Sequence, residues 1–247
     1  MRLYLIRHAE SANNALYSSG APESGRASDP EITEIGHKQA ALLGPHLADI
    51  TAEPRQSPFI TDAAHQFGLT HLYCSLMTRS ILTAGYIARA CDLPLMAHGE
   101  IFEKGGIYLH DENGVPEGLP GRDRAYFTER FPNLILPDSF RDDGWYNRPA
   151  ETTADFLVRM PKVVAEICQR HADSDDVVGL VVHGDFIDQF INELMQVDRV
   201  AQNYKNGWVA NWVFHNTSIS RIDFANGGHN VIYLNRIDHL PADLVTW

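Results

Sequence analysis

Short apolar runs that stop abruptly at polar residues alternate along this chain with longer stretches of helical periodicity. Leu3 to Ile6 is an apolar run closed by Arg7 and His8, the pattern of a buried strand. From Thr33 through Ala48, Ile35, Ala40, Leu42, Leu43 and Leu47 form a helical stripe that a Thr33 cap opens. Residues 50–68, with Pro54, Pro58 and Gly68, read as a loop-rich excursion. Leu69 to Ser75 predicts a second strand and Thr78 to Ala90 a helix. Later, Thr152 caps a helix reaching about His171, Val177 to Val182 is a strongly buried strand, and Asp185 to Met195 is helical. Trp208–Phe214, Ser218–Phe224 and Asn230–Leu234 read as closing strands with turns at Asn216 and Gly227-Gly228.

Strands separated by helices predict an α/β fold: a doubly wound, mostly parallel open sheet flanked by helices. Residues 98–150 break the rhythm. They are rich in glycine, proline and aromatics, and are expected to form a loop-rich cap inserted into a single domain spanning 1–247. In doubly wound sheets ligands bind beyond the carboxyl ends of the strands. Three predicted strands end in suggestive polar groups: Arg7-His8, Ser75 followed by Arg79, and His183-Gly184.

Composition narrows the function without naming it. The 247 residues are 44% hydrophobic and 21% charged, as in ordinary globular domains. A net charge of −12 argues against a nucleic-acid partner, because phosphate backbones require a basic surface. No apolar window approaches the ~20 residues of a membrane span, and the start is too soon polar for a secretory signal, so a cytoplasmic location without membrane partners is expected. Cys74, Cys91 and Cys168 lack metal or disulfide spacing and read as reduced thiols.

The strand-end residues lie within a set of ordered motifs. L-Y-L-I-R-H-A-E-S-A-N-N at 3–14 resembles the R-H-G-E-[ST]-x-x-N signature of the histidine phosphatase superfamily, phosphoglycerate-mutase-like branch. D-P-E-I-T-E-I-G-H-K-Q-A at 29–40 resembles that family's helix entry, and Y-C-S-L-M-T-R-S-I-L-T-A at 73–84 its second-arginine segment. V-V-H-G at 181–184 resembles its second-histidine strand end, and segments 215–220 and 234–240 its closing strands. The resemblance covers nearly the whole chain except 50–68 and most of 98–150.

The resemblance implies a metal-independent phosphomonoester hydrolase that needs no cofactor and acts on small molecules through a phosphohistidine on His8. Arg7, Asn14, Arg79 and His183 would bind the phosphoryl group, with His183 also counted as catalytic. Chemistry is compatible with these types: a neutral imidazole is a good nucleophile near pH 7, and guanidinium forks hold phosphoryl oxygens where no metal does. The proton donor is expected to be a glutamate in H-G-E-I-F-E-K-G-G at 98–106, Glu103 rather than Glu100. Asp185 is a further candidate, although Gly184 holds the place of the acid-phosphatase branch's aspartate. Ala9 stands where the family has glycine, which fits unless that residue requires positive φ.

Three rival readings remain. A mutase is disfavoured because Lys-Gly-Gly-Ile-Tyr follows Glu103 in place of the mutase pattern. A metallophosphatase would use His8/Glu10 or His183/Asp185 as ligands, beside an Arg7 that repels cations. A non-catalytic phosphoester-binding protein predicts loss of a core residue, and none is lost. In the cap, Arg122, Arg124 and Arg148 with Tyr108, Trp145 and Tyr146 either grip a second anion or ring of the substrate, or form a solvated surface.

Overall fold

The computed structural model describes residues 1–22, 25–49, 67–197 and 211–247. In chain order the first part gives β1 (Arg2–Arg7), α1 (Ala12–Ser18), α2 (Glu34–Ala48), β2 (His71–Ser75), α3 (Thr78–Cys91) and β3 (Leu95–His98). The expected insert contributes β4 (Tyr108–His110), β5 (Pro116–Gly118), α4 (Arg124–Arg130) and β6 (Leu134–Ile135). The remainder supplies α5 (Thr153–His171), β7 (Val177–Val182), α6 (Gly184–Leu194), β8 (Ile219–Ala225) and β9 (Gly228–Arg236).

Seven strands make one sheet in the order β6-β3-β2-β7-β1-β8-β9. The first five run parallel, and β8 and β9 are antiparallel additions beside β1. Helices cover both faces, which explains why β1 and β7 read as unbroken apolar runs. The two-residue period of β1 sends Tyr4 and Ile6 into one core with Leu43 and Leu47 of α2 and Ile81 and Ile87 of α3. Leu3 and Leu5 face the other core, among Phe156, Met160 and Ile167 of α5 and Phe186 and Phe190 of α6.

The expected caps form. Thr33 accepts from Gly36 N, and Thr152 and Asp155 make a reciprocal capping box that starts α5. Residues 211–214, expected as part of a strand at Trp208–Phe214, form none; 208–210 lie outside the described residues. Their backbone is held by side chains instead of a ladder: Asp188 Oδ1 accepts from Trp212 N at 2.8 Å, and Arg7 donates to Phe214 O. The excursion expected at 50–68 falls mostly outside the described residues.

Segment 98–150 is irregular over much of its length, yet it is more than a loop. Its β6 extends the main sheet beside β3, and β4 and β5 pair as a hairpin. Phe102, Ile107, Phe127, Phe140, Trp145 and Tyr146 are buried in the core shared with α2 and α3. Trp145 and Tyr146 are therefore packed in the core and not exposed on a solvated cap surface. Among the described residues, no helix is long and apolar enough to cross a membrane.

Candidate active site

The strand register brings the signature residues together. β1 and β7 are parallel neighbours with Arg7 opposite Val182, so Arg7-His8 and His183 leave the sheet side by side. On the other side of β7, β2 ends at Ser75, and Arg79 follows in the first turn of α3. The His8 and His183 rings lie 5.1 Å apart between centroids.

His8 Nδ1 lies 2.7 Å from Ala9 O. A carbonyl only accepts, so Nδ1 carries the proton and the lone pair sits on Nε2. Arg79 Nε donates to that lone pair at 3.1 Å. Burial, then the charges of Arg79 and Arg7, push the His8 pKa well below the ordinary histidine value and keep the ring neutral. His183 is depressed in the same way, by burial first and then by Arg79, His8 and Arg7. Its Nε2 lies 2.7 Å from Ser75 Oγ, while its buried Nδ1 has no hydrogen-bond partner; Arg7 Nε is likewise unpaired. Buried donors without partners are rare and mark a place for an acceptor. Burial also lowers both arginines, Arg7 to about 10, which leaves it charged at neutral pH.

Glu103 faces this group from the segment after β3. A Cβ on Gly184 would lie 3.5 Å from Arg7 Nε and 4.0 Å from Glu103 Oε2, so both groups border the space over that glycine, and the Glu103 charge acts on Arg7. Glu103 Oε1 accepts from Lys104 N at 2.9 Å and Phe186 N at 3.1 Å, and Oε2 from Asp185 N at 3.2 Å. It thereby caps the N-terminus of α6 from outside the helix. These bonds and Arg79 favour the ionised form, but burial, aided by the Asp185 charge, outweighs them and raises the pKa to about 7. Glu100 lies elsewhere, half-exposed and paired with Arg148 at 3.1 Å. Asp185 is exposed, and its backbone rather than its carboxylate engages Glu103.

Arg159 of α5 holds the Glu103 segment from behind. It donates to Glu100 O and Phe102 O, pairs with buried Glu151 at 2.6 Å, and stacks 3.7 Å from the centroid of the Phe102 ring. Asn14 shares a capping box with Ser11 at the start of α1, and its Oδ1 also accepts from Asn216 Nδ2 at 3.4 Å. That oxygen is occupied. Ala9 is not a positive-φ residue, and its N–H donates to Thr83 Oγ1 at 3.0 Å, so alanine fits the signature turn. Gly36 is needed for packing: a Cβ there would lie 2.3 Å from Glu10 O. The Glu10 carboxylate is bound by Thr33 Oγ1 at 2.6 Å, which ties it to the start of α2.

Sequence reasoning missed Thr83, Asn216 and Thr217. Asn216 Nδ2 donates to His8 O at 3.1 Å, and Thr217 N, from a left-handed residue at φ 58°, reaches the Arg7 and His8 carbonyls. Together they fix the turn that carries the imidazole. Of the cap arginines, Arg124 is paired with Asp142 and Arg148 with Glu100, while Arg122 is exposed and stacks on the Tyr126 ring.

Solved structures of similar fold include phosphatases. The phosphoserine phosphatase of Entamoeba histolytica, an H9A mutant in complex with phosphoserine, is 18% identical, with a TM-score of 0.56 over 97% of this chain and 99% of that one. The alpha-ribazole phosphatase of Shigella flexneri is 17% identical, with a TM-score of 0.58 over 96% of each chain. A mycobacterial glucosyl-3-phosphoglycerate phosphatase is 17% identical, with a TM-score of 0.54 over 95% of this chain and 98% of its own. No curated protein matches the sequence at a significant level. The family model of the histidine phosphatase superfamily (branch 1) matches residues 3–237, and the chain belongs to that superfamily as a histidine phosphatase.

Proposed function

We propose that the chain hydrolyses small phosphomonoesters without a metal, through a phosphohistidine on His8, with Glu103 as proton donor. The observation that carries this reading is the His8 ring, neutral and fixed by Ala9 O so that Nε2 presents its lone pair beside Arg79. A phosphoryl group entering between Nε2 and Arg79 takes over the guanidinium. Its oxygens then accept from Arg7, Arg79, His183 Nδ1 and the Asn14 amide.

In the first half-reaction Nε2 attacks phosphorus, the bond to the ester oxygen breaks, and Glu103 gives its proton to the departing alkoxide. The Glu103 carboxylate then takes a proton from water, whose oxygen attacks phosphorus. Phosphate leaves and the His8 lone pair returns. We read segment 98–150 as a cap on the single domain, because it supplies Glu103.

Rapid mixing with substrate tests the nucleophile. Phosphate on the protein should be acid-labile and base-stable, map to His8, and be absent in His8→Ala. A label on serine, or none in a single turnover of active protein, overturns the reading, and rearrangement of a phosphoglycerate without net hydrolysis would identify a mutase.

A further inference from the structure

The opposite end of the sheet holds a second cluster of chemically capable side chains. His71 begins β2, His171 ends α5, and Asp176 immediately precedes β7. Seven residues of nearly extended chain, at ~3.3 Å each, separate Asp176 from His183, so this cluster lies roughly 20 Å from the phosphoryl site. We propose that His71, His171 and Asp176 form a binding site for a divalent transition cation, Zn²⁺ by its ligand types, that clamps the N-terminal edge of β2 and β7 to the end of α5.

The geometry supports a three-ligand site. One donor atom from each residue lies within 4.8 Å of the other two. The carboxylate divides between the imidazoles: Oδ2 is 2.7 Å from His171 Nδ1, and Oδ1 is 3.8 Å from His71 Nδ1. Zinc ligands at ~2.0–2.2 Å in a tetrahedron lie roughly 3.4 Å apart, so an ion would draw the widest pair inward by about 1 Å. His71 and Asp176 are partly exposed, so a cation can enter and water can complete its coordination.

Outer contacts are those a metal-binding histidine requires. Tyr73 OH lies 3.2 Å from His171 Nε2 and orients the ring. The turn is prearranged, because Ser174 Oγ donates to His171 O at 2.7 Å and accepts from Asp176 N at 3.1 Å. The C-terminal dipole of the 19-residue α5 and the exposed Asp173 and Asp175 add negative potential. Binding costs two existing contacts, His71 Nδ1 with Thr70 Oγ1 at 2.9 Å and the 2.7 Å bond between His171 Nδ1 and Asp176 Oδ2, which the shared ion replaces. Imidazole with carboxylate selects zinc or its first-row neighbours over magnesium or calcium, which favour all-oxygen sites.

Calorimetric titration of Zn²⁺ into the full chain, stripped with EDTA and kept in phosphate-free buffer, tests the site. The wild type should bind one equivalent that survives in His8→Ala, where the catalytic imidazole is gone. His71→Ala and Asp176→Asn, both at partly exposed positions, should weaken that equivalent at least ~100-fold while circular dichroism stays unchanged. An equivalent retained in both variants, or none bound by the wild type, overturns the proposal. Should the variants fail to fold, Co²⁺ added to wild-type protein must shift the imidazole proton resonances of His71 and His171; shifts confined to other histidines overturn it equally.

Discussion

Glu103→Gln removes a transferable proton while keeping the side chain's shape, and the structure gives the size of each consequence. The amide oxygen can still accept from Lys104 N and Phe186 N as Oε1 does, but the –NH₂ group then faces the Asp185 N–H that Oε2 now accepts. Losing that charge-assisted bond costs about 1–3 kcal/mol of stability, an effect on folding that is separable from rate. General acid catalysis is worth ~10²–10⁴-fold when the leaving group is poor. With burial holding the Glu103 pKa at about 7, the carboxyl is mostly protonated one unit below that value and only about a tenth protonated one unit above it. The kcat/KM for an alkyl phosphate should therefore fall about tenfold per unit of rising pH above 7 in the wild type, since kcat/KM reports the free enzyme. In Glu103→Gln the same quantity should drop ~10²-fold or more on the acidic side and lose that descending limb. A nitrophenyl ester, whose leaving group hardly needs a proton, should show a small loss and little change in profile. Equal losses on both esters, or a limb near 7 that persists in the glutamine variant, would refute the assignment. A leaving-group-dependent loss in Glu100→Gln would do so too.

Turnover should survive EDTA, because charged arginines and neutral imidazoles supply what a metal would bring; activity lost in EDTA and restored by a divalent ion contradicts the mechanism. Stripping a cation from the far end of the sheet should lower the Tm and leave initial rates alone. Ser75→Ala frees His183 Nε2 and with it the tautomer that leaves a proton on Nδ1, so kcat/KM should fall ~10-fold or more on both esters alike, and unchanged kinetics would remove Ser75 from the site. Gly36→Ala puts a Cβ 2.3 Å from Glu10 O and should cost about 1–3 kcal/mol in denaturant melts, whereas an unshifted midpoint would mean the signature turn yields freely.

The parts of the site legible in the sequence are those at sharp boundaries between apolar strand and polar turn. Arg7, His8 and His183 each follow a run buried on both faces, and their motifs recur in the family's order. Glu103 is preferred to Glu100 in the sequence only through its place before Gly105-Gly106, because both lie in an irregular segment. In three dimensions their surroundings differ, because α6 places its free N–H groups on Glu103 while Glu100 pairs with Arg148. Thr83 and Asn216 act through hydrogen bonds to strand-end residues far away in sequence, which their local pattern does not reveal. Elements too short or too polar to carry a period were missed as well: α1, the two-residue β6, and β3, which follows directly on Pro94. The false strand at 211–214 has apolar character, but its backbone is satisfied by Asp188 and Arg7, contacts that no local reading contains.

The bond between His8 Nδ1 and Ala9 O has a consequence for how this enzyme tolerates genetic drift. His183 depends on Ser75 Oγ, a side chain that a single codon change can remove. The proton on His8 is held by a main-chain carbonyl, which every amino acid supplies. Replacements at position 9 can disturb the turn by their bulk, but none can delete the acceptor. The tautomer of His8 is thus inherited with the backbone, independent of which side chain stands at position 9.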